Sequence, residues 1–517
     1  MATEPLPAYL ALAKPNPLSN RGPWYTNTAP AYFGIFMWIA FYDKLGTSLQ
    51  LGGLGAALVG LIAAGLLSHF LFHYVFGLLG MRTGLPLYVV GSSTFGTKGG
   101  YLFPGIFMGL LQIGWYSVGT FYATKLMLGG FGELLGIKIA ATTVLDPEPS
   151  QQGFSALFVI VAIAWGYIFA TFGAFGIKYV AKISSYLPWI ALAMLLIAFV
   201  GAAPYIGDFR TPTATQVGGL AAACLVIQMV IGFFATAGAA GADFGTNSRH
   251  ADDVNKGGLV GISLASIVAG GLAILIVAGA HGKLAREATQ TAQAETAATV
   301  PAEAGLAVSA GEPEVVSDAA SPASEPVGYN IMSTLTIASP RLGGVMLLLL
   351  AVGSMAPACF CSSIIGNSLS TMIPSLPRVP LTLGGATIGI LIAATGAAGH
   401  LESFFGLIGA SFGPICGAIV ADYVLSGRRW AGPREGVNVA GYGAWIVGFL
   451  VGISNNPALG ERALFAGWQP TSVYSFIVGF LVYYVLASAG LQPKPVAYGP
   501  AAEQQEPAEK PLEQAVS

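Results

Sequence analysis

Long apolar runs separated by short polar breaks recur along nearly the whole chain, at about 28–50, 52–80, 101–128, 154–177, 184–206, 216–242, 257–281, 341–372, 379–399, 402–426, 438–456 and 471–490. A helix needs roughly 20 mostly apolar residues to cross the hydrocarbon of a bilayer. The pattern therefore predicts an all-α membrane protein with twelve transmembrane helices. Two polar stretches fall outside it. Residues 283–328, rich in Ala, Glu, Thr, Ser and Pro, read as a flexible external loop between spans 7 and 8, and 491–517 read as a disordered tail.

The apolar pattern is itself uneven. Span 1 carries Pro30 and Gly34, and span 6 (IGFFATAGAAGADFG) has four glycines and no leucine. Unwound backbone at membrane depth survives only where it lines a cavity, and two discontinuous helices at matching positions mark the midplane site of inverted-repeat transporters. The weak points near 34 and 236 open two halves, spans 1–5 (28–206) and spans 6–10 (216–426), with spans 11 and 12 (438–490) added. This layout predicts a five-plus-five inverted repeat with helices 1 and 6 broken. Close packing through small residues is the equally weighted alternative.

Composition narrows the class. Of 517 residues, 54% are hydrophobic and only 9% charged, with a mean hydropathy of +0.70. Soluble domains carry about a quarter charged residues. A soluble enzyme, a secreted factor and a nucleic-acid binder are all disfavoured. An even number of spans puts both termini on one side. With residues 1–27 inside, fourteen of the 22 Lys and Arg fall on that side, including Arg428, Arg429 and Arg434. The excess of positive charge favours a cytoplasmic N-terminal segment and cytoplasmic tail, in a plasma (inner) membrane. Residues 1–27 lack the order of a cleavable signal. Cys224, Cys359, Cys361 and Cys416 all sit in apolar runs and read as packing residues.

Candidate chemistry concentrates in span 3. Gln112 and Trp115 lie near its centre, three residues apart and so on one helix face. A carboxamide and an indole at mid-bilayer depth call for a wet, protein-lined cavity. The indole offers a stacking surface and the amide an edge reader for a planar solute. Span 6 adds Phe233, Phe234 and Thr236, and span 8 adds Ser362, Ser363 and Asn367. The two serines, with backbone carbonyls freed near Ala31 and Gly34, would suit a small monovalent cation. Serines that bond their own helix backbone are the competing reading. His69 and His73 are four apart on span 2 without a visible carboxylate partner. No cluster of His, Asp, Glu or Cys at one depth suggests an enzyme, and no cofactor is expected beyond a possible sodium ion.

Over residues 20–490 the chain resembles the nucleobase–cation symporter-1 family, its cytosine permease branch in particular. The likeness rests on Thr94-Phe95-Gly96-Thr97-Lys98-Gly99, Gln112-Ile113-Gly114-Trp115-Tyr116, Ala242-Asp243-Phe244 and Ala421-Asp422-Tyr423, in that order among the spans. The resemblance implies a substrate held between spans 1, 3, 6 and 8. It places Trp115 on the family's stacking tryptophan, Gln112 on its substrate glutamine, Phe234 on the opposing aromatic, Thr236 on a hydroxyl position and Asn367 near its span-8 asparagine. Ser362 and Ser363 fall where sodium-coupled members place hydroxyl ligands. Ile364 departs from the family pattern, in which an asparagine follows those hydroxyls.

The expected function is a secondary transporter that imports a nucleobase or related planar nitrogen heterocycle by alternating access, coupled to sodium or protons. An amino-acid or amine symporter of the same architecture is the alternative. The expected partners are a small-molecule substrate and the lipid bilayer, with no nucleic acid, and the expected state is a monomer.

Overall fold

The computed structural model describes residues 6–145, 153–175, 177–213, 217–298, 328–335, 340–456, 459 and 468–499. It is helical throughout. The first half contains α1 (Ala8–Ala11), α2 (Thr28–Phe36), α3 (Ile39–Tyr42), α4 (Ser48–Leu67), α5 (Tyr74–Thr83), α6 (Leu87–Val90), α7 (Ser92–Phe95), α8 (Phe107–Leu135), α9 (Ala156–Phe175) and α10 (Ile177–Ala202). Then come α11 (Gly219–Ala239), α12 (Gly241–Gly245), α13 (Ala251–Gly258), α14 (Ala265–Ala298), α15 (Ile331–Leu335), α16 (Pro340–Gly353) and α17 (Met355–Met372). The chain closes with α18 (Arg378–Thr395), α19 (Leu401–Leu425), α20 (Val439–Ile453) and α21 (Thr471–Ser488). Among the described residues, ten helices are long and apolar enough to cross a membrane. Of the expected spans, the eleventh is apolar but only 15 residues long as α20. The first is divided.

That division does not fall at Pro30 or Gly34. Asn27 caps α2 by accepting the Thr28 N–H, and Pro30 lies in the first turn, where a missing N–H costs no intrahelical bond. The helix ends instead at Met37, and Trp38 is extended (φ −87°, ψ 129°) before α3 begins. In span 6 the glycine-rich stretch stays helical to Ala239, and the chain steps at Ala240 into the short α12. Its glycines serve contact: a Cβ on Gly232 would lie 2.7 Å from the Phe405 carbonyl oxygen, and one on Gly238 2.7 Å from Phe72. Small-residue packing, not unwinding, explains this segment. The same device joins α4 to α11, where a Cβ on Gly60 would lie 2.6 Å from the Ala223 oxygen.

Interruptions also occur in spans 2 and 7. A π-helical turn over Ser68–His73 joins α4 to α5, and another over Leu259–Leu264 joins α13 to α14. The first falls late in span 2 and the second early in span 7, and such turns gather at functional sites in helical proteins.

Two sequence expectations about polar segments need correction. The presumed loop from residue 283 continues α14 as helix to Ala298, while 299–327 lie outside the described residues. The local sequence (KLAREATQTAQAET) is made of good helix formers, Lys283 faces Glu287 at 3.7 Å, and Arg286 pairs with Asp208 at 2.5 Å. The start of the tail is docked as well. Val496 N–H donates to Pro433 O at 2.7 Å, and Tyr498 OH donates to Leu10 O at 3.1 Å. The described parts of both termini thus pack at the same end of the molecule. Residues 500–517 lie outside the described residues.

Candidate functional site

The break in span 1 faces the middle of α8. Met37 N–H still reaches Phe33 O at 3.0 Å, but Trp38 N–H turns to Ile35 O at 3.3 Å. The Gly34 carbonyl therefore loses the donor that a continuing helix would give it. Ala31, one turn earlier, sits within the continuous ladder of α2. The extended conformation at Trp38 swings its indole toward Trp115, with ring centroids 5.7 Å apart at 60°.

Gln112 and Trp115 of α8 do share a face, and both are buried, at 1% and 3% exposure. Together with Ile35, Trp38, Phe233, Thr236, Ala237, Pro357, Phe360 and Cys361 they line a cavity of about 20 Å³. That volume holds a water molecule or so, not a heterocycle. Trp115 donates its ring N–H to Thr236 Oγ1 at 3.1 Å, which bolts α8 to α11 across the cavity. Phe233, Phe404 and Phe405 surround the same indole at centroid distances of 5.0, 5.1 and 5.3 Å. A ring entering here must displace one of these aromatics, so the geometry is that of a closed site.

Two polar atoms in this lining are left over. Gln112 Oε1 is buried without a hydrogen-bond partner, and its Nε2 meets only Met108 Sδ at 3.8 Å. Trp38 Nε1 is likewise buried and unpaired. Leaving a buried donor or acceptor unsatisfied costs about 1–3 kcal/mol each, so such atoms call for an explanation. One acceptor and one donor thus belong to residues that line a chamber without a charged side chain. A small neutral molecule carrying one donor and one acceptor would satisfy both.

The remaining candidates lie elsewhere. Phe234 is fully buried on the opposite flank of α11, stacked on Phe36 at 5.3 Å and tilted against Tyr32 at 5.6 Å. Its neighbour Phe233 takes the cavity position, because one residue rotates the side chain by about 100° around a helix. Asn367 lies far along α17 from the cavity-lining Pro357, Phe360 and Cys361, and its Oδ1 accepts from Arg378 Nε at 2.8 Å. Ser362 Oγ donates to Cys359 O at 3.0 Å and reaches Phe169 O at 3.4 Å, while Ser363 Oγ accepts from Arg378 at 3.0 Å. Both hydroxyls therefore face α9 and α18 rather than the carbonyls of α2. His69 and His73 do meet, Nδ1 to Nδ1 at 3.3 Å, with Asn255 Oδ1 on His69 Nε2 at 3.1 Å. No group of three metal-ligating side chains exists among the described residues.

Comparison with known proteins gives these contacts a setting. Residues 15–479 match the profile of a family described as permease for cytosine/purines, uracil, thiamine, allantoin. The chain belongs to that family. The cytosine permease of Escherichia coli strain K12 is 27% identical over 226 residues, as is that of strain O157:H7. The matched stretch spans 43% of this chain and about 45% of the length of those relatives. In fold the chain is similar to the nucleobase-cation-symport-1 transporter Mhp1 in a closed conformation with bromovinylhydantoin bound (TM-score 0.63, 15% identity, 95% of this chain and 98% of that one). The inward-facing form of Mhp1 matches equally well, at 0.63 and 16% identity over 98% of this chain and 100% of that one. A substrate-bound, outward-open Na⁺-coupled sialic acid symporter is more distant, at 0.54 and 11% identity over 92% of each chain. The chain is thus a multi-pass membrane protein of a permease family, with a fold like that of the symporters above.

Proposed function

We propose that this chain is a secondary active transporter that imports a nucleobase or a related planar nitrogen heterocycle by alternating access, driven by a cation gradient of sodium or protons. The observation that carries the reading is the pair of unpaired buried atoms, Gln112 Oε1 and Trp38 Nε1, in an uncharged aromatic chamber at the break of span 1. A ring N–H or amino group donates to Gln112 Oε1, and a ring carbonyl or imine nitrogen accepts from Trp38 Nε1. Trp115 and Phe233 supply faces for the ring, with base-on-aromatic contact contributing about 1–3 kcal/mol. Thr236, released from Trp115 when the ring enters, offers a further hydroxyl. Membership in the permease family supports this substrate class, and the likeness to Mhp1 supports rocking of one bundle against another. The coupling cation favours import only to the extent that it binds the outward, substrate-ready state more tightly.

An amino-acid or amine symporter would need partners for a charged substrate, and the chamber lining has no ionic side chain. The proposed setting is the inner membrane, with both termini cytoplasmic and the chain acting as a monomer. The test is uptake of radiolabelled cytosine into proteoliposomes, competed by uracil, purines, hydantoins, allantoin and amino acids. Competition confined to the flat heterocycles is expected. Competition by amino acids or amines alone overturns the reading.

A further inference from the structure

A guanidinium stands on one of the two hydroxyls that the sequence offers to a free cation, that of Ser363. Arg378, the first residue of α18, folds back along α17. Its Nε donates to Asn367 Oδ1 at 2.8 Å, and one terminal nitrogen donates to Ala174 O at 2.7 Å. The other reaches Gly173 O at 3.0 Å, Ser363 Oγ at 3.0 Å and Ser363 O at 3.4 Å. Five oxygens from two helices thus converge on one planar cation, which has five N–H donors and no acceptor.

The nest is built for positive charge. Gly173 and Ala174 belong to the last turn of α9, where carbonyls lack intrahelical donors and the helix dipole is negative. Gly173 also admits α17 at close range, since a Cβ there would lie 1.8 Å from Ser362 Oγ. On the side of α17 that faces the chamber, Pro357, Phe360 and Cys361 offer no hard oxygen from their side chains.

We propose that Arg378 is a built-in cation at the junction of α9, α17 and α18. It occupies the Ser363 hydroxyl, so that sodium does not bind there, and a diffusible guanidinium binds only once the side chain is removed. A tethered charge cannot dissociate with the substrate, and its repulsion opposes a second cation on Ser363 Oγ. Resting on the reading of the chain as a cation-coupled transporter, this removes Ser363 Oγ as a ligand of a driving sodium ion.

The test uses purified full-length protein and no nucleobase, so that a wrong substrate assignment does not affect it. Thermal unfolding is followed in choline chloride with sodium, potassium or guanidinium chloride added at low-millimolar concentration. Wild-type Tm is expected to be the same with and without sodium. Arg378→Ala should lower Tm by at least about 5 °C, because it leaves several buried oxygens unpaired. Guanidinium should recover half or more of that loss, and potassium none. Should Arg378→Ala not fold, Arg378→Gln, which keeps one donor, takes the guanidinium titration. A saturable rise of wild-type Tm with sodium that Ser363→Ala abolishes would overturn the proposal. So would an arginine variant whose stability does not respond to guanidinium.

Discussion

Two buried polar regions of this molecule are built on opposite rules. At the end where the termini pack, Asp422 is 2% exposed and has no unmet need. Arg434 pairs with it at 2.8 Å, Tyr483 OH donates to it at 2.9 Å, and Ser93 and Thr94 donate to its other oxygen at 2.5 and 3.2 Å. Arg434 Nε is taken up by Ser93 O at 2.8 Å, and Asn438 ties Thr94 O to the same group at 2.8 Å. In the chamber, by contrast, Gln112 Oε1 and Trp38 Nε1 have no partner. A fully satisfied network fixes one arrangement, here the short α7 against α19, α21 and the loop before α20. A half-satisfied one stores a cost that a ligand relieves. The first is architecture, and the second is where we propose that a ligand binds.

Substitutions should separate the two. The largest effect is expected at the satisfied network, where Asp422→Ala leaves Arg434 buried without its anion and should cost about 3–5 kcal/mol of stability. It should be read as lost folded protein in detergent, whatever substrate is present. Trp115→Ala comes next: it should abolish measurable uptake while folded protein remains in the membrane, since both the ring face and the tie to Thr236 go. Unchanged uptake would remove the stacking role. Gln112→Leu should leave stability unchanged or slightly raised, because it deletes an unpaired acceptor, yet weaken substrate binding by about 1–3 kcal/mol. The smallest change is Trp38→Phe, which keeps an aromatic ring at the break but removes the free N–H. About 1 kcal/mol of binding, near a fivefold weakening, should be lost in a saturation isotherm, with Tm unaltered.

The sequence made one face of the chamber legible and hid the others. Gln112 and Trp115 could be paired because both belong to one helix, whose spacing fixes which residues share a side. Phe233 and Phe234 are adjacent, so the apolar pattern of span 6 does not decide which of them turns inward. The structure picks Phe233 because Phe234 is held by Tyr32 and Phe36 from another helix. Trp38 carried no local signal. Pro30 and Gly34 drew the expected break toward themselves, although a proline in a first helical turn disrupts nothing. The serines of α17 misled for a related reason: their direction depends on α9 and on Arg378, which reaches them from the next helix. The all-helical membrane fold was readable throughout because it depends on composition and run length, properties that survive without knowledge of tertiary contacts.

The most direct measurement is equilibrium binding of a radiolabelled nucleobase panel to purified wild-type protein and to Gln112→Leu, with Tm recorded for both. At least one heterocycle should bind the wild type and bind the variant about fivefold more weakly or worse, at equal or higher Tm. Equal binding by the two proteins, or no binding of any planar heterocycle to the folded wild type, would contradict the assignment of the chamber as the substrate site.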